Sequence, residues 1–434
     1  MRKVKRFTRR RFLKDSAVAL TAAVGFPYMV PDSVFGTFAP SERITIGCIG
    51  TGWMGTENLH SFLNQPDAHI IAICDIDANH LKNAVHIVNE KYGNKDCASY
   101  HNFWELLARD DIDAVSCGLP DHWHAIPAVE AAKAGKDIYS EKPLSHTLRE
   151  GRAMCDAVKR YGRIWQTGSW QRSVANFRSA CMLVRNGRIG KVTRAEVGLP
   201  AGHTDFAGTK NQTAIQPPPP ELDYGRWLGP APYAPYAVAR VHKNWRWSLD
   251  YGGGQIMDWI GHHGDIAHWG LGFDYESPVE VEGRGEYPRT GLWNTATRFK
   301  IRAVYANGVE VLIGGGAGLR SGTKWIGEDG WVWVDRERLD AEPAGLLKET
   351  FGPNDIQLYH SPEHHRNFLD CIKSRRPTIT PCEVSHHSVI PGHLGQIAML
   401  LGRKIRFDPN TEEIIGDAEA DEMLGRPMRS PWHL

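Results

Sequence analysis

The sequence predicts an α/β protein in two unlike parts: a doubly wound parallel sheet, then an α+β domain with an open, largely antiparallel sheet. Three observations carry this. From residue 41 to 165, short apolar runs alternate with amphipathic helical patterns, which implies parallel strands joined by crossover helices. From Pro278 onward, strand-like segments follow one another across short turns with no helix between them, the habit of antiparallel sheets. The 434 residues, 41% of them hydrophobic, suffice for two or three buried cores.

The first half begins with the apolar run Ile44–Ile49 and passes at once into Gly50-Thr51-Gly52-Trp53-Met54-Gly55. A lone GxGxxG motif is weak evidence. Here an amphipathic helix follows over Trp53–Leu63, and a second apolar run, His69–Cys74, ends at Asp75, 20 residues beyond Gly55. That context is the dinucleotide-binding Rossmann fingerprint: glycines for the tight turn, helix amides for the pyrophosphate, an acid for the ribose hydroxyls. Asp75 also favours NAD over NADP. A carboxylate about 4 Å from a 2′-phosphate is repelled by roughly 1–4 kcal/mol, and Ile76 supplies no cation.

Helices are expected over Ala78–Tyr92, Phe103–Ala108, His124–Ala134 and Thr147–Tyr161, and strands over Ala114–Cys117 and Asp137–Ser140. Doubly wound sheets bind ligands beyond the carboxyl ends of their strands. Pro120, His124, Glu141 and Lys142 fall at such ends and join Gly50, Gly52, Trp53, Met54, Gly55 and Asp75 as candidate cofactor-binding residues.

Residues 1–40 stand apart. They hold eight of the basic residues and two acids, so the remainder carries 43 basic against 48 acidic residues, a net of −5. A mildly acidic body lacks the footprint of nucleic-acid binding. Thr8-Arg9-Arg10-Arg11-Phe12-Leu13-Lys14, followed by a modest apolar run, resembles the twin-arginine export motif. The expectation is a periplasmic or otherwise exported protein, folded before export, with no stable membrane insertion after signal removal. The eight cysteines contain no CxxC, and Cys48, Cys74 and Cys117 lie in apolar runs, so buried free thiols are expected.

The stretch Gly252–Asp265, GGGQIMDWIGHHGD, sets three glycines before a helical pattern. Wound as an α-helix it puts Asp258, His262 and Asp265 at i, i+4 and i+7, on one face. A carboxylate one turn before an imidazole can fix its tautomer for general-base work.

GTGWMG, DAVSCGLPDHWHAIPAVEAAKAGKDIYSEKPL and GGGQIMDWIGHHGD together resemble the successive signatures of the Gfo/Idh/MocA oxidoreductase family, over essentially all of residues 43–434. The resemblance implies hydride transfer between a bound nicotinamide and a secondary hydroxyl of a sugar, cyclitol or glycoside. It makes Lys142, Asp258 and His262 the catalytic group, with a Lys142–Pro143 bond that is commonly cis. Lys142 would steady the substrate oxygen, His262 take its proton, and Asp258 orient His262 or Lys142. Ile260 stands where the family often has glycine. The resemblance also implies a homodimer or homotetramer built on the open sheet, and no metal.

In the second domain, residues 166–434, a helix over Ala175–Asn186 and a strand at Lys191–Gly198 precede a long segment rich in Pro, Gly and aromatics that ends at Asp250. Long irregular segments in compact domains are usually functional. Arg172, His242, Arg246 and Asp265 are the candidate substrate contacts. Strands follow near Pro278–Gly283, Thr297–Tyr305, Glu310–Gly314, Lys324–Ile326 and Trp331–Val334, then helices over Pro362–Lys373 and Ser385–Leu401. His262, His263, Asp265 and His268 form a minor metal alternative that would need ligands from elsewhere.

An exported dinucleotide enzyme meets no free NAD pool, so the expectation is a tightly bound cofactor, oxidised and reduced within one cycle. Transfer between two sugars fits. So does transient oxidation that cleaves a glycosidic bond, although the distinct histidine motif of the NAD-dependent glycosidases of this superfamily is not evident. A sugar-binding protein without turnover is a third reading, opposed by the joint presence of Lys142, Asp258 and His262.

Overall fold

The computed structural model describes residues 42–434; the export-signal reading lies outside them. Its first sheet comprises β1 (Ile44–Ile49), β2 (Ala68–Cys74), β3 (Ala98–Tyr100), β4 (Ala114–Cys117), β5 (Asp137–Ser140) and β6 (Trp165–Thr167), in the order β3-β2-β1-β4-β5-β6. All its pairings are parallel. The intervening helices are α1 (Trp53–Leu63), α2 (Ala78–Tyr92), α3 (Phe103–Leu107), α4 (Ala125–Lys133) and α5 (Leu148–Arg160). Asp77 starts α2 by accepting from the amides of Asn79 and His80, and Gly93 ends it in the left-handed region at φ 66°. The strand order reverses at β1 and β4, so the crevice at their carboxyl ends is where a ligand belongs.

The second part holds α6 (Ala175–Arg185), β7 (Val192–Leu199), α7 (Tyr224–Leu228), α8 (Gly254–Trp259) and α9 (Asp265–Leu271). Strands β8 (Glu280–Glu286), β9 (Arg298–Val304), β10 (Glu310–Gly315), β11 (Gly322–Gly327), β12 (Trp331–Val334) and β13 (Leu339–Glu342) follow. After α10 (His364–Ser374) and α11 (Cys382–Leu401) come β14 (Ile405–Asp408), β15 (Glu413–Ile414) and α12 (Ala418–Glu422). The nine strands run β13-β12-β11-β7-β10-β9-β8-β14-β15. Only the β7–β10 pairing among them is parallel. In β9, Phe299, Ile301 and Ala303 are buried while Arg298 and Lys300 face outward, the period-2 alternation of a sheet with one packed face. The packed face meets α11 so closely that a Cβ on Gly395 would lie 2.5 Å from Ile301. No helix among the described residues is long and apolar enough to cross a membrane.

The packing departs from a division at residues 165 and 166 in two places. Trp165–Thr167 is the sixth strand of the parallel sheet. Helix α10 also belongs there: Phe368, Leu369 and Cys371 share a core with Ile44, Ile46, Leu59 and Phe62. Arg366 and Lys373 on that helix both pair with the buried Asp67. Residues of both parts, from Ile49 and Val115 to Ile256 and Val281, join one larger core.

Candidate functional site

The turn after β1 meets the steric demands of a dinucleotide. Gly50 has φ +78° and donates its N–H to the Cys74 carbonyl at 2.9 Å. A Cβ on Gly55 would fall 2.1 Å from the Gly50 carbonyl oxygen, so only glycine lets α1 start this close to the strand. At Gly52 the nearest atom to such a Cβ is 3.6 Å away, which leaves its backbone open to a ligand. Asp75 accepts from the Thr51 amide at 2.7 Å and the Asp77 amide at 2.9 Å, which fixes its carboxylate at the cleft wall. Gly50, Gly52, Trp53, Met54, Asp75, Pro120, Glu141, Lys142 and Arg246 all line one open cleft. The residues present therefore fit a dinucleotide.

His124 does not line that cleft. It is buried, with ring nitrogens 2.7 Å from the Pro143 carbonyl and 2.9 Å from that of Leu119. The reason is the short 3₁₀ turn at Asp121–Trp123, which faces the ring inward. It positions the loops after β4 and β5 rather than touching a cofactor. Glu141 is buried and accepts from Asn58 at 2.9 Å. Burial raises its pKa, against the pull of that hydrogen bond.

Lys142 lies two residues beyond β5, on a cis bond to Pro143. Its Nζ donates to the Asp258 carbonyl at 2.7 Å and to Asp258 Oδ1 at 2.8 Å. Arg246 Nε donates to the same Oδ1 at 3.0 Å, with its guanidinium over Trp245 at 4.4 Å. Burial works against the Asp258 anion, but Lys142 and Arg246 together hold its carboxyl well below the usual carboxylate range. Asp258 therefore fixes two cations at the wall of the cleft.

The helical stretch behind them is broken. Ile260–Gly264 is a π-turn between α8 and α9, so the even i, i+4, i+7 face expected of Asp258, His262 and Asp265 does not form. Gly261 lets this turn press on the lysine: a Cβ there would lie 3.0 Å from Lys142 Cβ. His262 is 5% exposed, between the rings of Trp170 and Trp259 at 6.0 and 5.8 Å. Its Nδ1 is buried without a hydrogen-bond partner. Burial, then the Lys142 ammonium, push its pKa well below the ordinary value, so the ring is a neutral imidazole.

Two candidate substrate contacts lie elsewhere. Arg172 and Asp265 are 3% and 0% exposed and form a bidentate pair, 2.8 Å in both bonds, extended by Asp274 at 2.9 Å. Their charges are spent on each other inside the core, out of a substrate's reach. The π-turn explains this, because it rotates Asp265 away from Asp258. His242, at φ 51°, sits with Nε2 3.7 Å from Asp77 Oδ2, on the cofactor side of the cleft. Asp77, His80 and His242 bring donor atoms within 4.8 Å of one another, though Asp77 already caps α2. The four residues of the metal alternative turn to different partners: His263 to Gln171, Asp265 to Arg172, His268 to Tyr305, while His262 has no bonded partner on Nδ1.

One buried group beside the site has no distinct sequence signal. Asp121 is 4% exposed, and burial pushes its carboxyl up to about 8 against the pull of Arg246 and Lys142. It lies in the LPDHWH run at a strand end, but its burial depends on Gly252, where a Cβ would lie 3.2 Å from Asp121 Oδ2.

This glycine turn, acid and lysine cleft is matched by family models over nearly all the described chain. The model of the oxidoreductase family's NAD-binding Rossmann fold matches residues 44–169, and that of its C-terminal alpha/beta domain matches residues 175–434. The chain belongs to the Gfo/Idh/MocA oxidoreductase family. Among curated relatives, Glycosyl hydrolase family 109 protein 2 of Shewanella sp. (strain ANA-3) is 36% identical over 161 residues, 33% of this chain and 35% of that protein. The match thus spans about a third of that relative's length. Among solved structures, the aldose-aldose oxidoreductase of Caulobacter crescentus complexed with glycerol is similar in fold, with TM-score 0.62 at 20% identity, covering 84% of this chain and 100% of that one. So is the WlbA dehydrogenase of Bordetella pertussis in complex with NADH and UDP-GlcNAcA, with TM-score 0.61 at 18% identity, over 84% of this chain and 99% of that one.

Proposed function

We propose that this family member oxidises a secondary hydroxyl of a sugar, cyclitol or glycoside with NAD that stays bound between turnovers and is reoxidised by the carbonyl of a second sugar. The observation that carries the reading is the continuity of the cleft, from Gly50, Gly52 and Asp75 at one end to Lys142 and Arg246 at the other. Bound NAD supplies the hydride acceptor. Lys142, held by Asp258, donates a hydrogen bond to the substrate oxygen and favours its alkoxide character. His262, neutral and within the field of the Lys142 ammonium just behind the cleft wall, takes the hydroxyl proton. Arg246 keeps Asp258 ionised and borders the substrate. The Asp75 carboxylate at the ribose end supports NAD over NADP.

Export by the twin-arginine route, a periplasmic location, and a homodimer or homotetramer through the outer face of the nine-stranded sheet complete the proposal. The resemblance of Thr8–Lys14 to the twin-arginine motif supports bound-cofactor recycling, and the charged outer face of β9 is an exposed surface for a second copy. Light scattering of the purified protein tests the assembly.

The glycosyl hydrolase relatives favour a second reading, in which transient oxidation labilises a glycosidic bond. One experiment separates the readings. Protein purified from its native compartment is assayed for co-purified dinucleotide, then incubated with panels of free sugars and glycosides while the reduced-nicotinamide absorbance is followed. A bound NAD reduced by free sugars supports the first reading; aglycone release with no net reduction supports the second. Absence of both dinucleotide and spectral change refutes both and leaves a binding protein.

A further inference from the structure

With the pyrophosphate at Gly50–Gly55 and a ribose at Asp75, the adenine of a dinucleotide must extend past Asp75, away from Lys142. The cleft there is walled by Ile76, Phe103, Trp104, Trp123 and Trp432. Trp432 lies more than 280 residues beyond Lys142, far in sequence from every motif that marks the nucleotide fold. Its ring lies parallel to Trp104, 8° between planes and 5.7 Å between centroids, and edge-on to Trp123 at 4.8 Å. Trp104 is 40% exposed despite these neighbours, so it still offers surface to a planar ligand.

The segment that carries Trp432 is tied down along its length. Arg426 donates to Glu150 Oε1 at 2.7 Å and to the His122 carbonyl at 2.8 Å. Arg429 donates to the carbonyls of Gly229 at 3.0 Å and Gly225 at 2.8 Å, and its own amide to Pro230 at 3.0 Å. The Trp432 amide then donates back to the Arg429 carbonyl at 3.0 Å. Two guanidiniums thus clamp the tail to α5, to the loop after β4 and to α7.

We propose that residues 426–434 form a strap across the adenine end of the cleft, with Trp432 as a cofactor-binding residue that slows release of the dinucleotide. The inference rests on the oxidoreductase reading and deepens it, by naming what retains the cofactor. Flat aromatic walls suit a purine because stacking needs a π-face and no particular hydrogen-bond pattern.

The test is dinucleotide release from the full-length protein loaded with NADH, followed by loss of energy transfer from tryptophan to the nicotinamide after mixing with excess NAD. Trp432→Ala is expected to release NADH about 10- to 100-fold faster, the range that base–aromatic stacking supports. Trp432→Phe should recover most of the retention. Arg429→Gln, which loosens the strap without touching the cleft, should also speed release. Reduced nicotinamide mononucleotide, which lacks adenosine, should bind wild type and Trp432→Ala alike. Release at the wild-type rate from Trp432→Ala overturns the strap alone, as does a parallel loss of mononucleotide binding. A wild-type protein that binds no dinucleotide overturns the strap together with the oxidoreductase reading.

Discussion

Two clusters of charge lie a few residues apart along one helical stretch and do opposite things. Asp258 meets Lys142 and Arg246 at the wall of an open cleft, where the side chains of Lys142 and Asp258 keep 10% and 13% of their exposure. Asp265 meets Arg172 in the core, with side chains 1% and 2% exposed. Both are arginine- or lysine-held carboxylates, and sequence spacing makes them look like parts of one face. The π-turn between them separates chemistry from architecture. A cation–carboxylate pair at a cleft can exchange a partner for substrate; a sealed one cannot.

The largest effect that tests this contrast is on turnover. Lys142→Met or His262→Ala should slow the chemical step by ~10²–10⁴-fold, measured by single-turnover reduction of bound cofactor, with cofactor retention preserved. An unchanged rate in both would remove the catalytic assignment. Arg172→Met should instead leave the rate per folded molecule intact and cost ~3–5 kcal/mol of stability in denaturant titration, because it strands the buried Asp265 carboxylate. Replacing Arg172 and Asp265 together by Met and Leu should recover part of that loss. If Arg172→Met abolishes turnover in stably folded protein, the division between the clusters fails.

The smallest effect is a slope. Burial pushes the Asp121 carboxyl up to about 8 in the folded chain, whereas the unfolded chain releases the proton near the ordinary carboxylate value of 3.8. The folded state therefore binds more protons between those limits, and stability falls as pH rises through that window, by at most about 1.4 kcal/mol per pH unit. Asp121→Asn should flatten that part of the stability profile, seen in melts at a series of pH values. An equally steep profile in the variant would show that Asp121 is not held protonated.

The legibility of the two halves follows the same physics. The dinucleotide turn is readable because its requirements are local: Gly50 needs φ +78°, Gly55 must clear Gly50, and Asp75 ends the next strand. Four of the six parallel strands carry apolar runs long enough to recognise, while β3 and β6 are three-residue edges with too little pattern. Likewise β13, β14 and β15 owe their pairing to partners distant in sequence, and were unforeseen. Lys142 and Asp258 were legible as candidates, but the choice of Lys142 and Arg246 over His262 as the partners of Asp258 is tertiary. So is the π-turn, since IGHHG reads as ordinary helix until Gly261 is seen against Lys142. Trp432 carries no local signal at all. Its meaning comes only from its packing on Trp104 and Trp123.

Helix α10 has a consequence for how the chain comes into being. It closes over β1 and α1 with Phe368 and Leu369, and its Arg366 and Lys373 neutralise Asp67 beside them. A polypeptide is made from its amino end, so the earliest strand leaves the ribosome with this side uncovered and stays so until most of the remaining chain has been synthesised. The nucleotide module is first in sequence but among the last to be finished. A fragment ending at residue 165 would expose that surface permanently.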